Sequence, residues 1–307
     1  MLPPKRVVSL IASSTEMVVA LGCGDRLVGR SHECDHPEWV RKLPAVTEPK
    51  FAIDLPSAEI DARVRALVEQ VVSVYRVDIE ALDRLVPDLI ITQTQCEVCA
   101  VSLKDVEAAL CQLLSSRPKL VSLRTDTLVD LWRDVRKVAD ALGVPERGVQ
   151  LVTRMQHHMR GIAERARTVA ACRVACIEWM DPLTVAGNWT PELIQMAGAE
   201  DVLGRAGTHA GRIEFAELVS ADPDAIFVTP CGFDLARTRS EMPALTRQPG
   251  WSTLRAVREG RVFLGDGNAF FNRPGPRVAE ALEILAEALH PKAFRFGHEG
   301  TGWQRHL

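Results

Sequence analysis

The sequence predicts a doubly wound α/β protein of two lobes, each built on a mostly parallel sheet, and three observations carry that expectation. A helix-and-strand unit occurs twice, apolar strands alternate with helices in both halves, and 307 residues exceed what one core comfortably organises.

The first copy of the unit reads TEMVVALGCGDRLV from Thr15 to Val28, and the second reads PELIQMAGAEDVLG from Pro191 to Gly204. Both place Glu, apolar residues, Gly and Asp in one register, as a short helix ended by glycine does. A second match pairs LDRLVPDLIIT, ending at Thr92, with LVSADPDAIFVT, ending at Thr229: a helix, then Pro-Asp, then a buried strand. Strands are expected at Arg6 to Ile11, Leu27 to Arg30, Leu89 to Gln93 and Leu120 to Leu123 in the first lobe. The second lobe offers Arg173 to Glu178, Ala225 to Thr229 and Val262 to Gly265. Helices are expected over Thr127 to Leu142 and Pro145 to Thr168, the latter with Pro in its first turn and a stripe of Val149, Val152, Met155, Met159 and Ile162. The division is therefore a lobe over residues 1–125, a helical connector over 126–170 and a lobe over 171–307.

The two copies differ in length. From Gly22 to Pro87 is 65 positions, whereas the equivalent Gly198 to Pro223 is 25, so the first lobe carries about 40 additional residues. That excess holds Ser-His-Glu-Cys-Asp-His-Pro (31–37) and the helix-like run Ser57 to Val74, and long excursions in a compact lobe are where binding residues often sit.

Composition narrows the function. Lys and Arg total 37 against 40 Asp and Glu, so a net charge of -3 gives no broad attraction for nucleic acid or anionic lipid. No stretch approaches the roughly 20 apolar residues that cross a bilayer, so membrane insertion is not expected. The N-terminus enters the run Val7 to Ile11 without the long apolar region and cleavage site of an export signal, and eight cysteines are scattered rather than framed as a disulfide scaffold. A reducing, cytoplasmic setting is the expectation, with a periplasmic one the alternative if a leader has been removed.

The segments RVVSLIASSTEMVVALGCGDRLVGRSHECDHP, PDLIIT and GNWTPELIQMAGAEDVL resemble the cobalamin-binding, BtuF-like family of class III periplasmic binding proteins, and the likeness covers nearly the whole chain. The resemblance implies two Rossmann-like lobes joined by one long helix, with a corrinoid, haem or iron siderophore held in the cleft between them. It also implies docking on an ABC importer, with Glu80 and Glu200 aligned to the glutamates that meet transporter arginines, against the alternative that each is a solvated helix-end charge. Three features depart from the family: the missing export signal, the first-lobe excess and the QCEVC segment.

The candidate site residues follow the strand ends. Ser13 and Glu16 are spaced as a capping box, and Ser13, Ser14 and Thr15 follow the first strand where α/β sheets place ligands. His32, Cys34 and His36 form the densest cluster of coordinating side chains, and Cys96 and Cys99, with Gln95, leave another first-lobe strand. Together they are candidate ligands for zinc, another transition metal or cobalt, against the alternative of inert buried thiols. Cys23, Cys111, Cys172 and Cys176 are read as small core residues. The second lobe contributes Trp179, Asn188, Trp189, His209, Phe233, Phe270 and Phe271, all in strand-end loops. With only 5% aromatic residues in the chain, that collection suits a large flat ligand.

The leading function is then a binding protein for cobalamin or a related corrinoid, acting as carrier, salvage component or sensor. Haem or ferric-siderophore binding uses the same cleft. A third reading, an enzyme using Cys34, Cys96 or Cys99 with His32 or His36, lacks any GxSxG, Walker, HExxH or dinucleotide signature.

Overall fold

The computed structural model describes residues 2–51, 55–69, 74–94 and 116–306. The chain forms two compact units, one of residues 1–55, 62–125 and 129–154, the other of 56–61, 126–128 and 155–307.

The first unit is organised by β1 (Val7–Ser9), α1 (Ala12–Ala20) and β2 (Leu27–Arg30). After β2 the chain makes β3 (Thr47–Pro49), α2 (Ser57–Glu69), β4 (Tyr75–Val77) and α3 (Ile79–Arg84), and then β5 (Leu89–Gln93) and β6 (Lys119–Leu123). The sheet order is β2-β1-β5-β6, all parallel, with β3 and β4 pairing as a separate antiparallel ladder. Leu89, Ile90 and Ile91 are fully buried, as a central parallel strand covered on both faces must be. Val8, Leu10, Val46, Leu82 and Ile90 close one core beneath it. Asp78 caps α3 by accepting from the Ala81 N–H at 2.9 Å.

Two long helices follow, α4 (Leu128–Leu142) and α5 (Pro145–Ala166). Gly148 lets them approach, because a Cβ there would lie 2.5 Å from Ala139 Cβ. Val152, Met155, Met159 and Ile162 are buried along α5 as the periodicity predicts. Val149 is not: it is 52% exposed, since the first turn of α5 turns Gly148 and Leu151 inward instead.

The second unit contains β7 (Cys172–Met180), β8 (Leu183–Val185), α6 (Thr190–Met196), β9 (Ala199–Asp201) and β10 (Gly211–Arg212). Then come α7 (Phe215–Ala221), β11 (Ala225–Val228), α8 (Leu235–Glu241), β12 (Val262–Gly265), α9 (Val278–Leu289) and β13 (Trp303–Arg305). Its sheet runs β10-β8-β7-β11-β12-β13 with β9 also on β7; β9, β11 and β12 lie parallel to β7, β8 and β13 run antiparallel to it, and β10 pairs antiparallel with β8. Ala175, Ile177, Ile226, Val228 and Leu264 form the centre of its core.

The internal repeat is physical. In one unit β1, α1 and β2 make a parallel pair and α3 leads into β5 on the other side of β1. In the other, β7, α6 and β9 make the same parallel pair and α7 leads into β11 on the other side of β7.

Candidate functional site

Parallel strands present their C-terminal ends at one edge, and the loops leaving that edge are where α/β sheets bind. In the first unit the edge is stitched by Ser31 N–H to Ser9 O at 2.8 Å, Leu10 N–H to Ile91 O at 2.9 Å and Thr94 N–H to Leu123 O at 2.9 Å. The start of α1 and the 31–37 loop are therefore neighbours.

The expected capping box does not form. Ile11 is the N-cap of α1 and makes no side-chain cap bond, and Ser13 to Glu16 are already helical, starting at the second position of α1, all buried. The reason is a competing network. Ser14 Oγ donates to Ile11 O at 3.1 Å and pairs with Ser9 Oγ at 2.6 Å, while Thr15 Oγ1 reaches Ser9 Oγ at 2.8 Å and Cys34 Sγ at 3.0 Å. Ser13, 1% exposed, keeps a hydroxyl without a partner among the described residues.

Cys34 is buried at 1% exposure inside that network, so it behaves as a packed polar thiol. His36 is exposed and His32 half-buried. Among the described residues no three His, Cys, Asp or Glu side chains are placed to hold a metal ion, so the 31–37 loop does not assemble a zinc site from its own residues. Gln95, Cys96, Cys99 and Cys111 lie outside the described residues.

His32 has a defined environment. Its N–H and its Nδ1 both meet Thr47 Oγ1, at 3.0 and 2.8 Å, and Thr47 donates to Ser31 Oγ at 3.2 Å. The ring lies 5.0 Å from that of Tyr75, whose hydroxyl donates to Glu33 Oε1 at 3.1 Å. Burial, reinforced by Arg30, holds the imidazole below its ordinary pKa, against the opposing pull of Glu48 and the Thr47 hydrogen bond. Thr47 and Tyr75 come from β3 and β4, inside the sequence excess, and neither was foreseen as part of the site; a two-strand ladder separated by a helix leaves no local motif to find it by.

In the second unit, Gly187 and Asn188 pass against the 207–210 loop so closely that a Cβ on Gly187 would lie 2.4 Å from Thr208 O and 2.5 Å from Ala210 N. Asn188 takes φ +50, donates its N–H to Thr208 O at 2.6 Å and accepts from Gly207 N–H at 2.9 Å. Asn tolerates that left-handed conformation better than most residues.

This loop pair frames two acids. Burial pushes the Glu178 carboxyl up to about 7, with the Asp201 charge adding to the rise and Gly187, Thr190 and His209 opposing it. Asp201 is pushed up to about 6 by burial, although its Oδ1 accepts from Gly204 N–H at 2.8 Å and Leu203 N–H at 3.2 Å. Its Oδ2 is buried without a partner among the described residues. Cys176 beneath them has its thiol pushed well above the ordinary value, again mainly by burial, and is inert accordingly. Sequence reading placed Glu178 beside Trp179 at a strand end but took Asp201 only as part of the repeated unit, so their pairing was not foreseen.

The strand-end aromatics divide. Trp189, Phe233 and Phe271 are buried, Phe271 against Phe227 at 5.0 Å, so these three also serve the core. Trp179 is half-buried, lies tilted against Phe233 at 5.1 Å with Arg237 4.5 Å over the Phe233 ring, and donates its indole N–H to Asp181 O at 3.0 Å. Phe270, half-buried, carries Arg277 at 5.3 Å. His209 is exposed, its Nδ1 3.3 Å from Ala210 O. A cavity of about 550 Å³ near Trp251, Val262 and Arg305 lies at the N-terminal start of β12, the wrong end of the sheet for this site. Glu80 is exposed in the first turn of α3, 3.8 Å from Arg84, and Glu200 is exposed within β9 rather than at a helix end.

Two α/β units with duplicated topology and ligand-edge loops define a binding protein of the class III periplasmic type. Residues 7–269 match the model of the periplasmic binding protein family, and the chain belongs to that family. It is 26% identical over 95% of its length, and 82% of the relative's, to an uncharacterized ABC transporter substrate-binding lipoprotein of Bacillus subtilis. It is 24% identical over 93% of its length, and 90% of the relative's, to the vitamin B12-binding protein of Vibrio vulnificus. Among solved structures, a periplasmic haem-binding protein from Pseudomonas aeruginosa superposes with a TM-score of 0.71 at 24% identity, covering 94% of each chain. The periplasmic vitamin B12-binding protein BtuF of Vibrio cholerae gives 0.67 at 20% identity, over 94% of this chain and 97% of that one. These superpositions establish the fold.

Proposed function

We propose that the protein binds a corrinoid, cobalamin or a close relative, through the loops at its C-terminal strand edges, as the substrate-binding component of an ABC importer or a relative of one. The observation that carries this reading is the alignment, over 93% of the chain, with relatives named vitamin B12-binding protein. The half-buried Trp179 and Phe270 support it, because a large, mostly apolar ring system is held by aromatic faces and few polar anchors. Glu80 and Glu200, both solvent-exposed, are the acidic groups available for a transporter's arginines. Haem is the second candidate, favoured by the half-buried His32 imidazole, which suits an iron porphyrin equally well.

Calorimetric titration with hydroxo-, methyl- and adenosylcobalamin and with haemin tests the reading. Heat is expected with the cobalamins. Trp179→Ala should weaken binding, whereas the exposed Lys292→Ala should not. No heat and no spectral change with any cobalamin removes the corrinoid reading, and heat with haemin alone replaces it.

A further inference from the structure

With Thr47 donating to Ser31, the hydrogen bonds around His32 fix which of its nitrogens carries the proton. A threonine hydroxyl has one hydrogen and two lone pairs. Thr47 Oγ1 directs its hydrogen to Ser31 Oγ at 3.2 Å, and Ser31 Oγ also accepts from Glu33 N–H at 3.3 Å. Thr47 Oγ1 is therefore an acceptor both for the His32 backbone N–H at 3.0 Å and for Nδ1 at 2.8 Å. Nδ1 bears the hydrogen, and Nε2 carries a lone pair.

That lone pair is kept available. The nearest carboxylate oxygen, Glu33 Oε1, is 3.9 Å from Nε2, beyond hydrogen-bonding range, and takes the Tyr75 hydroxyl at 3.1 Å. The imidazole is 21% exposed, neither sealed in the core nor free to rotate, with Thr47 on one nitrogen and the Tyr75 ring 5.0 Å away. It sits just past the end of β2, on the edge where ligands bind. A histidine whose Nδ1–H is fixed by an outer acceptor while Nε2 has no hydrogen-bond partner among the described residues has the arrangement by which proteins orient an imidazole for a metal.

We propose that His32 is an axial ligand of the bound metal chelate, its Nε2 donating to the metal at the open face of a corrinoid, with Thr47 as its positioning residue. The inference rests on the chelate-binding reading above. A dative nitrogen–metal bond forms, the metal–water bond breaks, water leaves with its own electron pair, and the metal keeps its oxidation state. The site thus selects chelates with an exchangeable axial water over those whose face is blocked by carbon.

The test compares aquacobalamin, methylcobalamin and haemin on the full chain, by absorption spectroscopy and calorimetry. Aquacobalamin should show a ligand-exchange change in its spectrum on binding, and methylcobalamin should bind without one. His32→Ala and His32→Phe, the latter keeping the ring against Tyr75, should abolish the spectral change and weaken aquacobalamin binding about tenfold or more, and leave methylcobalamin affinity within about threefold. Thr47→Val should weaken aquacobalamin binding by about tenfold with the same methylcobalamin control. Nitrogen-15 shifts of labelled histidine should place the His32 hydrogen on Nδ1. Heat without any spectral change in the wild type, an unaltered change in both His32 variants, or a hydrogen on Nε2 overturns axial ligation while leaving chelate binding intact. No heat with any of the three overturns both.

Discussion

Replacing Glu178 by glutamine should remove a pH-dependent weakness of the second unit. The Glu178 carboxyl titrates at about 7 in the folded protein against an ordinary value of 4.5, because burial disfavours its charge. A carboxyl raised in this way holds its proton in the folded state at pH values where the unfolded chain has released it. Stability is therefore fully present below pH 4.5 and is lost as pH rises toward 7. At 1.36 kcal/mol per pH unit the 2.5-unit gap is worth about 3 kcal/mol above pH 7. Asp201, titrating at about 6 against 3.8, works in the same direction and remains in both proteins. Urea unfolding followed by tryptophan fluorescence from pH 4.5 to 8 reads the difference. Glu178→Gln should match the wild type at the acid end and exceed it by about 3 kcal/mol at pH 8, as glutamine keeps the shape and never carries the charge. A wild-type-minus-variant difference that is flat across this range would refute the argument that burial dominates at Glu178.

Two further outcomes follow from the same geometry. Gly187→Ala places a methyl 2.4 Å from Thr208 O, so the 187–188 and 207–210 loops must separate; stability should fall by about 1–3 kcal/mol in urea unfolding, and cobalamin binding should weaken in calorimetry. Glu287 is the opposite case to Glu178. Burial opposes its charge, but N–H groups of Phe296, Gly297 and His298 and the Trp303 indole all donate to it, and together they hold its carboxyl below the ordinary value. Its stabilisation is present at neutral pH and lost as pH falls through the depressed folded value. Glu287→Ala should cost about 3 kcal/mol at pH 7, and the deficit should narrow in acid.

Much of the fold could be read from the chain because the duplicated unit repeats in both apolar periodicity and punctuation. Gly22 and Gly198 take φ +69 and +82 after their helices, and Pro87-Asp88 and Pro223-Asp224 precede buried parallel strands. The site was less legible. His32, Asn188 and Trp179 were singled out from expected strand-end positions, although Trp179 lies within β7, and the contacts around His32 and Glu33 are long-range. Thr47 is 15 residues from His32 and Tyr75 is 42 from Glu33, and no local pattern encodes such a meeting. The capping-box reading failed for a related reason: the spacing of Ser13 and Glu16 is local, whereas the network of Ser9, Ser14, Thr15 and Cys34 that claims the neighbouring hydroxyls is tertiary. Periodicity alone also misplaced Val149, since it does not say where along a helix packing begins.

The same unequal repeat explains why the two sheets carry different chemistry on equivalent edges. In the second unit the chain leaves β9 and runs through a short loop against Asn188 before α7, with the buried acids Glu178 and Asp201 beside it. In the first unit the path from β2 to α3 includes β3, α2 and β4. The β3–β4 ladder is antiparallel, with Thr47 opposite Val77 and Pro49 opposite Tyr75, and it is tied back to β2 through Val46 N–H to Arg30 O at 2.9 Å. That tie sets Thr47 Oγ1 beside His32 and Tyr75 within reach of Glu33. Deleting β3 and β4 would leave the His32 backbone N–H and Nδ1 without their shared acceptor and Glu33 without the phenol that draws it from Nε2. The β3–β4 ladder of the first unit is thus a clamp on one imidazole, and the axial role proposed for His32 depends on it.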